Sequence, residues 1–199
     1  PYGIKMANSV YMNQGDPYET DQILKQVGLP CFVKPNKSGS SFGVSKVKTK
    51  EALAPAMDFA FKEDNEILIE SFLDGTEVSV GVIEWQNKIK VMPETEIVSH
   101  NEFFDFEAKY LGKSEEITPA RISEVQRNNL IEAAEKIYKV LNLKGLSRAD
   151  FIIVGDIPYF IEMNMVPGIT TESILPKQAR YAGISLQELF GNCIEMALK

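Results

Sequence analysis

Histidine occurs once in this 199-residue chain, tryptophan once and cysteine twice. No apolar run approaches the length of a membrane span. With His100 alone, a His-rich zinc site is excluded by count, and no Ser or Cys motif is present for it to serve in a catalytic triad. We expect His100 to be a structural or surface residue. Cys31 and Cys193 are far apart and lie in apolar surroundings, so buried free thiols in a reducing cytoplasm are expected rather than a disulfide. Cationic charge is also scarce. Against 28 Asp+Glu stand 21 Lys+Arg, giving a net charge of −7 and a pI near 4.9. That balance argues against nucleic acid as the main partner, although a polyanion can still bind where a local Lys/Arg cluster and metal ions gather. No signal peptide, internal repeat or low-complexity stretch is visible. Residue 1 is proline and not methionine, from which we expect missing N-terminal sequence.

What is present is concentrated in residues 148–168, R-A-D-F-I-I-V-G-D-I-P-Y-F-I-E-M-N-M-V-P-G. Two β-rich runs, Phe151–Val154 and Tyr159–Met163, flank a Gly155-Asp156-Ile157-Pro158 turn signal, which predicts a β-hairpin. At its open end stand Asp150, Glu162 and Asn164, oxygen donors of the kind a hard divalent cation prefers. Alternation along a strand puts Glu162 and Asn164 on one face. A regular two-residue turn would pair Val154 with Ile157 and send Asp150 to the other face. Asp150 joins the other two only through an odd-numbered loop or a bulge. Ordinary polar residues at a hairpin end are the alternative. Arg148 before the cluster and the Pro167-Gly168 bend after it favour phosphate chemistry instead.

Upstream, helical spacing over Tyr18–Val27 ends at Gly28-Leu29-Pro30. A short strand, Cys31–Lys34, then ends at Pro35. The loop N-K-S-G-S-S-F-G follows, ahead of a strand over Val44–Val47. This is strand–glycine-rich loop–strand, and G-x-x-x-x-G-K-[ST] is absent. Its N–H groups and hydroxyls could fold over phosphates with Lys34 as a nearby positive charge; a mobile surface hairpin is the alternative. Glu51–Phe61 reads as a helix, Glu66–Glu70 as a strand and Glu77–Ile83 as a second strand, with a hinge between lobes after Glu70. Glu77, Ser79 and Gly81 share one face of that second strand, and Val78, Val80 and Val82 the other. Trp85-Gln86-Asn87-Lys88 turns the chain into Ile89–Met92, and Trp85 beside the turn is expected to be a surface-packing residue. Phe103–Tyr110 and the polar stretch after it contain a Lys109-Tyr110 pair suited to a lid. Ser123/Gln126 and Ser185/Glu188 form capping boxes. The first opens a helix through Leu141 with a core stripe of Ile131, Ala134, Ile137, Tyr138 and Leu141.

Taken together, V-K-P-N-K-S-G-S-S-F-G, I-E-S-F-L-D-G-T-E, F-E-A-K-Y, S-R-A-D-F and E-M-N-M-V-P-G-I-T-T-E-S resemble, in order, the D-alanine–D-alanine ligase family. The resemblance runs from about residue 4 to the end. It implies an α+β, ATP-grasp fold in which two lobes with largely antiparallel sheets enclose a nucleotide cleft. Residues 1–70 would form the small lobe and 71–199 the large lobe, with the family's N-terminal domain absent.

ATP would then be the co-substrate, with Lys34 on its phosphates and the Gly39–Gly43 loop (Gly39, Ser40, Ser41, Gly43) closing over them. Glu70, Ser71, Phe72 and Leu73 would hold the adenine edge, Glu77 the ribose, and Lys109 the transferred phosphate. Asp150, Glu162 and Asn164 would bind two Mg2+ ions, with Mn2+ as a substitute. Arg148 and the N–H of Gly168 would stabilise an oxyanion. Ser173 and Ile174 would hold the second substrate's carboxylate, and Ser40 and Tyr110 would link loop to lid. The implied partners are ATP and D-alanine, without nucleic acid or membrane insertion, and the resemblance suggests a cytoplasmic homodimer for the full-length protein. The implied activity is ATP-dependent joining of two D-alanines for peptidoglycan precursor synthesis. A D-lactate-accepting ligase, another ATP-grasp carboxylate–amine ligase and a non-enzymatic nucleotide-binding module are the rivals. Met165 and Val166 depart from the pattern, standing where small polar residues are expected.

Overall fold

The computed structural model describes residues 2–99 and 114–198. The chain divides into two compact units, and the described residues assign 7–73 to the smaller and 2–6, 74–98 and 115–198 to the larger. The division falls after Leu73, three residues beyond the hinge read from sequence, and the first few residues belong with the C-terminal part of the chain.

In the smaller unit, β1 (Ser9–Asn13), α1 (Thr20–Val27), β2 (Cys31–Pro35), β3 (Ser45–Val47), α2 (Leu53–Ala60) and β4 (Glu66–Ser71) follow in order. The four strands form a wholly antiparallel sheet of order β1-β4-β2-β3. Helix α1 stops where Gly28 takes φ 74° and donates its N–H to the Leu24 carbonyl at 2.8 Å, as the glycine stop signal predicts. One sheet face buries Cys31, Val33, Ile67 and Ile69 against Ile23, Val27, Leu53, Met57 and Ala60 from the helices. Burying each of the larger side chains contributes about 1.5–3 kcal/mol. The opposite face carries Phe32, Lys34, Glu66 and Glu70. The entry and exit strands are neighbours: Ser9 lies opposite Glu70, and Ser71 donates its N–H to the Asn8 carbonyl.

The larger unit contains β5 (Thr76–Trp85), β6 (Lys88–Val91), β7 (Thr95–Ser99), β8 (Ser114–Ile117), α3 (Glu124–Val140), β9 (Leu146–Val154), β10 (Ile157–Asn164), α4 (Ile174–Tyr181) and α5 (Leu186–Ala197). Its sheet runs β10-β9-β5-β7-β8, with β6 also pairing β5. Gln86 and Asn87, both at positive φ, make the two-residue turn between β5 and β6. Val78, Val80 and Val82 join Ala149, Phe151 and Ile153 on one face, and α3 covers them with Leu130, Ala134, Ile137 and Tyr138. The stripe differs from expectation. Leu130 is fully buried, whereas Ile131 and Leu141 are 37% and 51% exposed. On the other face Ile83 and Met92 pack against Leu175 and Ala179 of α4 and Leu189 of α5, with Trp85 half-buried at the edge. Both capping boxes form. Among the described residues no helix is long and apolar enough to cross a membrane. Cys31 is fully buried and Cys193 partly so, both as free thiols, and burial pushes both thiol pKa values up.

Candidate functional site

The hairpin β9–β10 turns on two residues, Gly155 and Asp156, so Val154 pairs with Ile157. Gly155 supplies the positive φ (59°) such a turn needs. Helix α3 holds the turn from outside: Gln126 Nε2 donates to the Gly155 carbonyl at 2.7 Å and Asn129 Nδ2 to the Asp156 carbonyl at 2.8 Å. Continued regularly, this register would put Asp150 on the face opposite Glu162. It does not continue. A bulge lies between Phe160, which pairs with Phe151, and Glu162, which pairs with Asp150. The extra residue, Ile161, reverses the alternation. Phe160 keeps its edge-on contact with buried Phe151 (5.6 Å between centroids), while Glu162 and Asn164 turn to the face of Asp150 and Arg148.

Four hydrogen bonds then converge on one carboxylate. Arg148 Nε and Nη2 donate to Asp150 Oδ1 and Oδ2 at 3.1 and 3.0 Å. Asn164 Nδ2 donates to Oδ2 at 2.9 Å and reaches Glu162 Oε1 at 3.5 Å. Ser79 Oγ donates to Oδ1 at 2.5 Å. Burial opposes the charge on Arg148, but the hydrogen bond to Asp150 and the charges of Asp150, Glu162 and Glu116 outweigh it, so its pKa is raised. The guanidinium therefore stays cationic and keeps its Nη1 donors for another group. Glu77 lies further along the same β5 face, opposite Ile152.

As a hard-cation site the donor set fits: two cross-strand carboxylates and an amide, whose oxygen an amide rotation would present. Among the described residues no three His, Cys, Asp or Glu side chains converge, so the amide is part of what such a site would use.

Past β10 the exposed segment Met165–Val166 leads to Gly168, where a Cβ would come within 2.8 Å of Ser173 Oγ. Ser173 is the N-cap residue of α4 and Ile174 its first residue, so Gly168 and the Ser173–Ile174 pair sit together. Thr170 Oγ1 and Ser173 Oγ share a 2.9 Å hydrogen bond that fixes the bend.

The nucleotide candidates Lys34, Gly39, Ser40, Ser41, Gly43, Glu70, Ser71, Phe72 and Leu73 all belong to the smaller unit. Lys34 Nζ pairs with Glu70 Oε2 at 2.5 Å on the sheet's polar face. In the glycine-rich loop Ser40, Ser41 and Gly43 all take positive φ, and the Phe42 N–H closes a turn on the Gly39 carbonyl. Gly43 is required there, because at φ 74° its Cβ would lie 2.7 Å from Pro35 Cγ and 2.8 Å from Glu63 Cγ. At the loop's foot Glu66 accepts from Lys37 and Asn36. The Lys37 hydrogen bond, then those of Tyr11 and Asn36, hold the Glu66 carboxyl at a pKa of about 2. Phe72 packs against Phe32, with Lys46 Nζ 4.2 Å from its ring centroid, and Ser71 Oγ donates to the Asn8 carbonyl. Lys109, Tyr110 and His100 lie outside the described residues.

Sequence reading missed the Ser79–Asp150 bond and the Lys34–Glu70 pair. Period-two alternation did place Ser79 on the correct face; what it lacked was the β5–β9 register.

Two antiparallel sheets with this polar cluster on the larger one define the chain as an ATP-grasp fold. The family described as "D-ala D-ala ligase C-terminus" matches residues 2–195, and the chain belongs to it. A D-alanine–D-alanine ligase of Flavobacterium johnsoniae is 63% identical over the whole chain, and one of Christiangramia forsetii 58%. The chain spans 61% of the length of each. Among solved structures, a Bacillus anthracis D-alanine–D-alanine ligase complexed with ATP superposes with a TM-score of 0.83 at 28% identity, covering 98% of this chain and 61% of that one. A D-Ala:D-Ser ligase of Enterococcus faecalis gives 0.82 at 31%, covering 98% and 57%.

Proposed function

We propose that the protein carrying this chain is an ATP-dependent ligase that joins two D-alanines through a D-alanyl phosphate, supplying a peptidoglycan precursor in the cytoplasm. The observation that carries the reading is the cluster of Arg148, Asp150, Glu162 and Asn164, assembled by a bulge in a chain of this family. An amine does not displace hydroxide from a carboxylate at neutral pH, so the acid must first be activated. ATP supplies that activation: the first D-alanine carboxylate attacks the γ-phosphorus, and ADP leaves. The second D-alanine's amine then attacks the acyl carbon, and phosphate departs as the amide forms.

In this reading Asp150, Glu162 and Asn164 hold magnesium, which when bound offsets charge on the phosphoryl oxygens. Lys34 and the N–H groups of the Gly39–Gly43 loop bind the nucleotide phosphates, and Lys109 reaches the transferred one. Glu70 to Leu73 take the adenine and Glu77 the ribose. Ser40 and Tyr110 join loop to lid, which keeps water from the acyl phosphate. Arg148, committed to Asp150 through Nε and Nη2, offers Nη1 to the tetrahedral oxyanion together with the Gly168 N–H. Ser173 and Ile174, at the N-terminus of α4, receive the acceptor's carboxylate. We assign the small lobe to the compact unit that holds residues 7–73 and the large lobe to the other unit, and read the full-length protein as a homodimer.

The test is ATP turnover by the whole protein with D-alanine, D-lactate and D-serine offered as acceptors and products identified by mass spectrometry. D-alanyl-D-alanine with stoichiometric phosphate is expected. Preferential ester or D-Ala-D-Ser formation would overturn the choice of acceptor, which the similarity to a D-Ala:D-Ser ligase makes worth testing.

A further inference from the structure

A polar side chain that the reading above leaves unused is buried between α4 and the sheet. Gln178, in the middle of α4, is completely buried. Its Oε1 accepts the Gly81 N–H at 2.8 Å, and its Nε2 donates to the Ser79 carbonyl at 2.8 Å and to Thr95 Oγ1 at 3.0 Å. Thr95 Oγ1 in turn shares a 2.7 Å hydrogen bond with Thr118 Oγ1. These contacts fill a gap in the ladder. Strand β5 pairs with β7 at Val78 and Ser79 and with β6 from Val82 onward, and the amide of Gln178 serves the backbone between.

A second observation comes from the sheet side. A Cβ on Gly81 would overlap Leu175 Cδ1 and lie 2.9 Å from Gln178 Oε1, so α4 rests directly on the β5 backbone. Gly81 lies opposite Arg148 and Ser79 opposite Asp150 in the β5–β9 register. The helix is thus seated on the two residues of β5 that flank the polar cluster, and Ser79 binds Gln178 through its carbonyl and Asp150 through its hydroxyl. The same helix begins at Ser173–Ile174. An apolar side chain would fill this space but leave the Gly81 N–H and the Ser79 carbonyl without this partner. A fully bonded amide instead fixes one position of the helix, because any slide leaves buried donors and acceptors unpaired.

We propose that Gln178 is a positioning residue, setting the acceptor's subsite at the start of α4 against the Arg148–Asp150 cluster. The proposal rests on the ligase reading above and names the element that registers its second substrate. Simple satisfaction of backbone groups would show itself differently, as lost stability with all kinetic constants moving together or none.

The test uses the whole protein and two variants that disturb the seat from opposite sides. Gln178→Met keeps length and volume without the hydrogen bonds, and Gly81→Ala pushes on α4 from the strand. Velocity against D-alanine at saturating ATP resolves two successive binding constants. In both variants the constant for the second D-alanine is expected to rise about tenfold, the worth of roughly one buried hydrogen bond. KM for ATP should stay within about twofold. Unchanged second-site constants in both folded variants would overturn the proposal, as would a parallel rise in KM for ATP. Loss of the folded state in both would also overturn it, assigning Gln178 to stability alone. A wild type without D-alanine-dependent ATP turnover would overturn the underlying ligase reading, and the unmodified protein alone reveals that.

Discussion

Replacing Ser79 with alanine removes one oxygen, and the structure says what that oxygen does. Its hydroxyl is the closest of four donors on the Asp150 carboxylate, at 2.5 Å, and Ser79 is 2% exposed. A hydrogen bond to a charged group contributes about 1.5–3 kcal/mol. Asp150 retains Arg148 and Asn164, and its side chain is 17% exposed, so water recovers part of the loss. We therefore expect destabilisation near the low end, about 1.5 kcal/mol. For a unit on the order of 100 residues this lowers Tm by roughly 6–12 °C. The chain has two compact units, so a global melt would mix two transitions. Trp85, the only tryptophan, lies at the end of β5 in the same unit as Ser79, and its fluorescence reports that unit selectively. Ser79→Thr, which keeps the hydroxyl, serves as the control. A Ser79→Ala transition within about 2 °C of wild type would mean that the Ser79–Asp150 bond carries no net stability, and the reasoning would fail.

Glu162 is exposed, and its carboxylate lies 3.5 Å from Asn164 Nδ2. Glu162→Gln in the whole protein should leave the melting transition within about 0.5 kcal/mol of wild type yet abolish phosphate release; near-normal turnover would sink the metal assignment. The Glu66 carboxyl, held at about 2 chiefly by Lys37, makes a pH prediction for the foot of the glycine-rich loop. Its folded pKa is depressed, so its contribution is complete above the unfolded carboxylate value of about 4.3 and is lost as pH falls toward 2. Carbon-13 NMR should place the Glu66 midpoint near 2 and move it upward in Lys37→Met, with Tyr11 and Asn36 still holding it below the free carboxylate value, whereas a wild-type midpoint near 4 would refute the loop anchor.

Much of this architecture was legible in local signals, because those signals act over a few residues. The Gly28 stop, the Gln86-Asn87 turn, both capping boxes and the two strands of the hairpin are set by φ preferences, alternation and short-range hydrogen bonds. The hairpin also posed a definite question: how Asp150 could share a face with Glu162. The answer, a bulge at Ile161, depends on Phe160 seeking Phe151 while the polar residues beyond it face Ser79, and that is a property of three strands together. In the α3 stripe Ala134, Ile137 and Tyr138 are buried as the spacing predicts, and Ile131 and Leu141 were misplaced for a related reason. Ile131 and Leu130 both offer an apolar stripe, and the valines of β5 decide between them. The boundary between units was displaced because β4 and the following residues are continuous in character, and because nothing in the sequence marks the change of units between Met6 and Ala7. Lys34 with Glu70, and Gln178 with Ser79, pair residues from separate elements, and no spacing rule connects them.

The adjacency of β1 and β4 has a consequence for how such a chain can be assembled and altered. The stretch from residue 7 to residue 73 enters and leaves through strands that hydrogen-bond to each other, Ser9 beside Glu70. Its two ends are therefore held together by its own sheet. A segment closed in this way can be inserted into a host chain, or cut out and replaced by a short connector, without dragging the host's broken ends apart. The host has no such freedom. Its first residues reach across the whole intervening stretch, with the Lys5 carbonyl accepting the Phe160 N–H at 2.9 Å, so its sheet cannot finish until the ribosome has delivered the second strand of the hairpin. On emerging from the ribosome the inserted piece can fold first, and the piece that holds the carboxylates must wait.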